Sequence, residues 1–344
     1  MQIFVVTPDS AKSAVGRYGL HLGEAFQKEG HRVDFVRTSG PGQDTLLSTL
    51  KNCRSIHTNM SENSNLYIDL SAGSFSPFVI AVYFSRKMPT VVTIHDPPHV
   101  VWWPLSTNFI FQNYFLKHLI NYPIRKLWYW MELRLLKKCR CVLLNSASKD
   151  TISRVIKRTF VIPHFVEESK LKHAKPWISQ KSTIGLYGFA YKGKGFDQVP
   201  EIRRLLNGEW NIIVAGFGTE NLSKISGVSY WGPLTEKQEE SFFHELDFLI
   251  LPYNRRSRYG VFTSSSGAMA KAFSFSVPVL SLTNMAFDSE TVSGAVAQFD
   301  SLRSMCGHLA KAEYDIEMLR RNVENIARVR QLSTIAGKYL ELFQ

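Results

Sequence analysis

Lys192 and Lys194 lie in a glycine-rich turn, running from Gly188 to Gly195, that follows the apolar run Ile184–Tyr187. Glycine lets a backbone approach a ligand closely, and a helix opening near Gly195 offers free N–H groups and a partial positive charge. The lysines add mobile cations, and the combination suits a diphosphate. An ordinary solvent-facing turn has the same composition, so the reading depends on what surrounds it. Arg255, Arg256 and Arg258 crowd one loop ahead of Ser264, Ser265, Ser266 and Gly267, where a helix start brings hydroxyls and N–H groups. Guanidinium forks match phosphate oxygens; a solvated basic loop is the alternative. His95 and Asp96 stop a buried apolar run, Pro89–Ile94, where an imidazole can meet a ligand or simply cap the strand. No Asp-x-Asp motif occurs.

These residues need a scaffold, and the chain alternates strand and helix patterns throughout. Strands are predicted at Ile3–Thr7, Arg32–Val36, Tyr67–Leu70, Pro89–Ile94, Cys141–Asn145 and Thr159–Pro163. A second series is predicted at Thr183–Tyr187, Asn211–Ala215, Val228–Tyr230, Phe248–Leu251 and Val277–Leu282. Helical spacing marks Tyr18–Glu29, Ser146–Ile156 and Leu332–Phe343. Such alternation implies two parallel sheets covered on both faces, an α/β chain with ligands at the carboxyl ends of the strands. The polar stretch Glu167–Lys181 divides the halves. The expected domains are 1–168, 169–328 and a last helix, 329–344, that crosses back to the first.

The whole chain sets limits. At 344 residues it suggests about two domains. The formal charge of +12 attracts polyanions, and no zinc-finger, RRM or KH signature favours nucleic acid among them. Four cysteines, with Cys139 and Cys141 wrongly spaced for a zinc knuckle, fit a reducing cytoplasm. The first residues read as a strand and not as a leader, and the apolar run from Phe75 to Phe84 is too short to span a bilayer.

The ordered pieces resemble a GT-B glycosyltransferase, similar to the retaining family four (group 1). The resemblance runs over most of the chain. IGLYGFAYKGKGFDQV, WNIIVAGFG, VSYWGPLTEKQEESFFHELDFLILPY and SSSGAMAKAFSFSVPVLSL carry it in the second half. GRYGLHLGEAFQKEGHRVDFV, VVTIHD and VLLNSASKDTISRVI carry it in the first. The resemblance implies two doubly wound, Rossmann-like domains facing across a cleft. The first binds the acceptor and the second a nucleotide-sugar, UDP- or GDP-linked, as substrate. It implies no cofactor, no metal and retention of configuration. Lys194 would steady the leaving diphosphate, and His95 would contact the transferred sugar. Gly16, Gly188, Lys192, Gly216, Arg255, Arg258, Thr263, Ser265, Ser266, Gly267 and Lys271 fall at donor positions. Arg17, Asp96, Trp102 and Trp103 fall at acceptor positions. Four positions depart from the pattern: Thr263 and Lys271 replace two glutamates, Ser276 a glycine and Phe189 an arginine.

Residues 100–140 are unusually aromatic and basic, from Trp102 and Trp103 through Trp128 and Trp130 to Lys137, Lys138 and Arg140. Tyr122–Lys138 is predicted as a helix with an apolar face and a basic remainder. Such a helix suits a contact with an anionic membrane surface, or packs the first domain's own core. The expected setting is the inner face of a bacterial membrane, building O-antigen or capsule on a saccharide or polyprenyl-diphosphate-linked acceptor. The alternatives are a catalytically silent GT-B-like binding subunit and a nucleotide-sugar epimerase of the same fold.

Overall fold

The structure, a computed structural model, describes residues 1–344 apart from 11–12, 41–42, 98–113, 168–181, 191–192, 255, 258–259, 262 and 313. The chain forms two units. One comprises Met1–Pro163 with Thr263–Ser265 and Leu332–Gln344, and the other His164–Phe262 with Ser266–Gln331.

The first unit alternates β1 (Gln2–Pro8), α1 (Ala14–Lys28), β2 (Arg32–Thr38), α2 (Leu46–Asn59), β3 (Ser64–Leu70), α3 (Phe75–Phe84) and β4 (Thr90–Ile94). It continues with α4 (Tyr114–Leu135), β5 (Arg140–Leu143), α5 (Lys149–Ser153) and β6 (Thr159–Val161). The strands pair in parallel in the order β2-β1-β3-β4-β5-β6. Buried along their whole lengths, β1, β3 and β4 read as near-continuous apolar runs because helices cover both faces. Two close contacts explain the glycine spacing of α1. A Cβ at Gly23 would meet the Phe35 ring at 2.6 Å, and one at Gly19 would meet Asp69 Oδ2 at 2.0 Å. The small residues let the helix lie tightly on the sheet.

The second unit holds β7 (Thr183–Tyr187), α6 (Val199–Leu205), β8 (Asn211–Ala215), β9 (Val228–Gly232), α7 (Glu236–Glu245) and β10 (Phe248–Leu251). A short antiparallel hairpin follows, β11 (Arg256–Ser257) with β12 (Gly260–Val261). Then come α8 (Gly267–Ser274), β13 (Val279–Leu282), α9 (Asp288–Val292), β14 (Val296–Phe299), α10 (Leu302–Ala310) and α11 (Ile316–Val329). Its parallel sheet runs β14-β13-β10-β7-β8-β9. Alternate strand residues feed two cores. Phe242, Phe243, Leu249 and Phe273 fill one face; Ile184, Leu186, Phe196, Trp210 and Ile250 fill the other. The last helix, α12 (Leu332–Glu341), belongs to the first unit.

Local chemistry moved several boundaries. Helix α1 starts at Ala14, four residues before the predicted Tyr18, because Ser13 caps it by accepting from the Gly16 N–H. The helix expected over Ser146–Ile156 shrinks to Lys149–Ser153. Asn145 Oδ1 accepts from Ala147 N at 3.0 Å, a local turn that competes with helix. Strand β13 begins at Val279, two residues late, behind Ser276 in the left-handed region (φ 55°). Several elements had no sequence expectation, among them α2, α3, the β11–β12 hairpin and β14.

Candidate functional site

In the second sheet β8 and β9 extend to one side of β7, and β10 to the other. The carboxyl ends of β7 and β10 therefore form the topological switch point, where open α/β sheets bind ligands. The lysine–glycine turn lies there. Gly188 (φ 130°) follows β7 and donates to Ala215 O at 3.1 Å. Gly216 (φ 118°) follows β8, and a Cβ on it would lie 2.0 Å from Gly188 O. Gly195 (φ 77°) passes so near the end of β10 that a Cβ would sit 2.1 Å from Pro252 O. Gln198 Nε2 donates to that same carbonyl at 3.0 Å, and Asn254 N donates to Gly193 O at 2.9 Å. The turn is thus tied to the residues after β10.

Within that frame the Lys194 ammonium sits 3.9 Å from the centroid of the Tyr253 ring. The Tyr253 hydroxyl lies 3.0 Å from Ser266 Oγ, and Ser266 caps α8 by accepting from Met269 N at 3.2 Å. A cation, an aromatic ring and a capped helix start form one assembly. The first-turn N–H groups of α8 have no carbonyl partner within the helix, so Gly267 presents them and the dipole to whatever lies ahead. Phe189 and the exposed Phe217 stand at the same strand ends, ring centroids 5.8 Å apart.

Lys271, where the resemblance led one to expect a glutamate, is already engaged. Its Nζ lies 2.9 Å from Glu167 Oε2 and 3.2 Å from Glu239 Oε2. Burial alone would lower its pKa; the two carboxylates outweigh burial and raise it. Glu239 also accepts from the Tyr187 hydroxyl. Thr263, Ser264 and Ser265 pack into the first unit. Thr263 Oγ1 donates to Pro97 O at 2.6 Å and lies 2.8 Å from Ser148 Oγ. Asn145 Nδ2 donates to Thr263 O at 2.8 Å and to Ser265 Oγ at 2.9 Å.

The first sheet has its own switch point, between β1 and β3. Gly16 lies here in the first turn of α1 and not in the loop before it; a Cβ would meet Pro8 O at 2.5 Å. Arg17, beside it, is exposed. His95 follows β4 and is buried, its Nε2 2.8 Å from Asp69 Oδ1 at the end of β3. Asp96 serves the loops: it accepts from Ala72 N at 3.2 Å and from Ser264 Oγ at 3.0 Å. The imidazole's partner is therefore Asp69, which sequence reasoning had overlooked.

Asp69 ends a buried polar chain. The Tyr67 hydroxyl lies 2.7 Å from Asp69 Oδ1 and 3.0 Å from Thr93 Oγ1. Thr93 Oγ1 is 2.9 Å from the Tyr339 hydroxyl, which is 3.1 Å from that of Tyr18. Burial, above all, raises the pKa of each of the three phenols. The signal was present in Tyr67-Ile-Asp69, two polar side chains on one face of an otherwise apolar strand.

Lys192, Arg255, Arg258, Trp102 and Trp103 lie outside the described residues, as does the Arg256 side chain. Among the described residues no group of three or more His, Cys, Asp or Glu side chains is placed to hold a metal ion. Nor is any described helix long and apolar enough to cross a membrane.

No family model matches the chain, and no curated protein matches its sequence. Solved structures do. Anabaena HepE in complex with UDP and glucose is 12% identical, with a TM-score of 0.67, over 99% of this chain and 98% of that one. AviGT4, a glycosyltransferase involved in avilamycin A biosynthesis, is 11% identical, with a TM-score of 0.62, over 100% and 97%. An α,α-trehalose-phosphate synthase (UDP-forming) from Burkholderia vietnamiensis is 10% identical, with a TM-score of 0.61, over 87% and 76%. At these identities the likeness concerns the fold. Two six-stranded parallel sheets, each wrapped in helices, give this chain the GT-B, Rossmann-like architecture.

Proposed function

We propose that the chain is a glycosyltransferase that moves a sugar from a nucleotide-diphosphate donor, UDP- or GDP-linked, to a saccharide acceptor. The observation that carries this reading is the Lys194–Tyr253–Ser266 assembly at the switch point of the second sheet. As the anomeric C–O bond to the phosphate breaks, negative charge grows on the leaving diphosphate. The acceptor hydroxyl oxygen forms the new bond to the same carbon. Lys194 and the α8 start meet the departing charge, and fixed groups of this kind lower a barrier by several kcal/mol. Gly188 and Gly216 let the backbone come close. Lys192, Arg255 and Arg258 add positive charge from the same stretches of sequence. His95 contacts the transferred sugar, while Arg17, Trp102 and Trp103 serve the acceptor.

Retention of configuration follows the family-four resemblance, with the leaving phosphate taking the acceptor proton and no metal required. The acceptor is proposed to ride on polyprenyl diphosphate at the inner membrane face during surface polysaccharide synthesis. The exposed apolar residues and basic flanks of α4 support that setting.

One observation favours a second reading, a silent binding subunit. Thr263 and Lys271 stand at the family's glutamate positions, and both are engaged in other contacts. The two readings part in a panel of UDP-, GDP- and dTDP-sugars followed by thermal melting and by release of free nucleotide. A transferase is stabilised by one donor and slowly hydrolyses it. Stabilisation without turnover selects the silent subunit, and no response to any donor ends both.

A further inference from the structure

We infer that Asp69 is a positioning residue, which locks His95 as the Nε2–H tautomer so that Nδ1 carries the lone pair that receives a hydroxyl of the transferred sugar. The inference rests on the reading of His95 as a sugar contact, and it adds a residue that the family resemblance did not mark.

A carboxylate only accepts hydrogen bonds, so a ring nitrogen 2.8 Å from Asp69 Oδ1 must carry the proton. The other nitrogen is then an acceptor. Among the described residues the Asp69 bond is the imidazole's side-chain hydrogen bond, so turning the ring over would break it in a buried setting. The Tyr18 ring stands edge-on to the imidazole, with centroids 5.0 Å apart and planes at 84°.

Asp69 is itself held. Tyr67 has one hydroxyl proton, and the carboxylate 2.7 Å away claims it. The Tyr67 hydroxyl also lies 3.0 Å from Thr93 Oγ1, which is 2.9 Å from the Tyr339 hydroxyl, itself 3.1 Å from that of Tyr18. Hydroxyls from α1, α12, β4 and β3 thus line up behind the carboxylate. Gly19 makes room for it, since any side chain there would strike Asp69 Oδ2. Five buried polar residues arranged to aim one imidazole are more than strand capping needs. A cap would be satisfied by the backbone bond that His95 N already makes to Leu70 O at 2.9 Å.

The test is direct. In 15N-detected spectra of the full chain, with His95 assigned by its loss in His95→Asn, the neutral ring should show one unaveraged Nε2-protonated tautomer. An Nδ1-protonated ring or an averaged mixture overturns the inference. Asp69→Ala should release the ring to averaging. It should also weaken UDP-glucose at least about tenfold relative to UDP, as loss of an orienting partner does for ligand histidines; GDP-mannose against GDP is the second probe pair. An unchanged ratio in the variant overturns the inference, and if the variant does not fold the wild-type spectrum decides. Failure of the parent reading looks different: His95→Asn would leave both ligand ratios untouched while the wild-type tautomer stays fixed.

Discussion

The Lys194 ammonium lies 3.9 Å from the Tyr253 ring centroid, and the hydroxyl of that ring reaches the cap of α8, 3.0 Å from Ser266 Oγ. The aromatic face holds the cation near the helix start. Lys194→Ala should remove a charge-assisted hydrogen bond of about 1.5–3 kcal/mol, roughly a tenfold to hundredfold loss in donor affinity. The melting point without ligand should barely change. Calorimetric titration with the donor found by melting checks this, and an unaltered Kd would move the diphosphate elsewhere.

The glycines of this region should differ sharply in what they tolerate. A Cβ at Gly216 would overlap Gly188 O, and one at Gly195 would overlap Pro252 O; both rigid backbones leave no escape. Gly188→Ala meets nothing within 4 Å and suffers only from its φ of 130°. Strain of that backbone kind costs about 1–3 kcal/mol. Gly216→Ala and Gly195→Ala should therefore lose clearly more stability than Gly188→Ala in urea unfolding. Equal losses in the three variants would contradict the close approaches.

The two parallel sheets were legible because buried strands leave unmistakable apolar runs, as at Thr90–Ile94 and Phe248–Leu251. The lysine–glycine turn was legible because left-handed backbone and near contacts demand glycine. Partners far apart in sequence were not. Nothing local joins Asp69 to His95, or Tyr18 to Tyr339, residues separated by 26 and 321 positions. Helix α2 was missed because its outer face carries Leu46, Leu47 and Leu50, all exposed, which spoils the amphipathic pattern. Strand β14, Val296–Phe299, is only four residues long and mostly half-buried, too little for a period to show.

Lys271 bridges Glu167 and Glu239, and its loss leaves two carboxylates facing each other. Glu239 is the more buried of the two. Breaking a fully buried pair costs about 3–5 kcal/mol; Lys271 and Glu167 are partly solvated, so about 2 kcal/mol is expected for Lys271→Met. In a unit of this size that lowers the melting point by roughly 4–8 °C. Adding Glu239→Gln should recover part of the loss. A Lys271→Met protein as stable as the parent would show the bridge to be incidental.

The three buried phenols predict alkaline behaviour. Tyr18, Tyr67 and Tyr339 have pKa values raised above the usual value near 10, chiefly by burial. A group with a raised folded pKa holds more protons folded than unfolded, so its stabilising share is complete below about pH 10 and falls as pH rises beyond it. Of the 13 tyrosines, these three, together with Tyr129, whose phenol burial also raises, should then resist ionisation in an absorbance titration until the first unit unfolds. Tyr339→Phe should remove one late-titrating phenol and soften the alkaline loss. Full tyrosine ionisation in a still-folded protein would refute the buried chain.

Helix α4 turns apolar side chains outward. Phe115, Leu119, Leu127, Trp130, Met131 and Leu135 are exposed, with Phe115 71% accessible. Lys126, Arg134, Lys137 and Lys138 are exposed beside them, and the Arg134 guanidinium lies 3.5 Å from the Trp130 ring centroid. An aromatic–aliphatic face with basic flanks suits the boundary between acyl chains and anionic headgroups. Each basic residue near such a surface contributes about 1 kcal/mol, which falls off with salt. The chain should sediment with phosphatidylglycerol vesicles at low ionic strength, and much less with phosphatidylcholine. Reversing Lys137 and Lys138 to glutamate should weaken partitioning by at least about tenfold, and Trp130→Ala with Leu127→Ala should weaken it at any salt. Equal partitioning to both vesicle types, or none to either, would remove the membrane from the proposed setting and leave the transfer chemistry to a soluble acceptor.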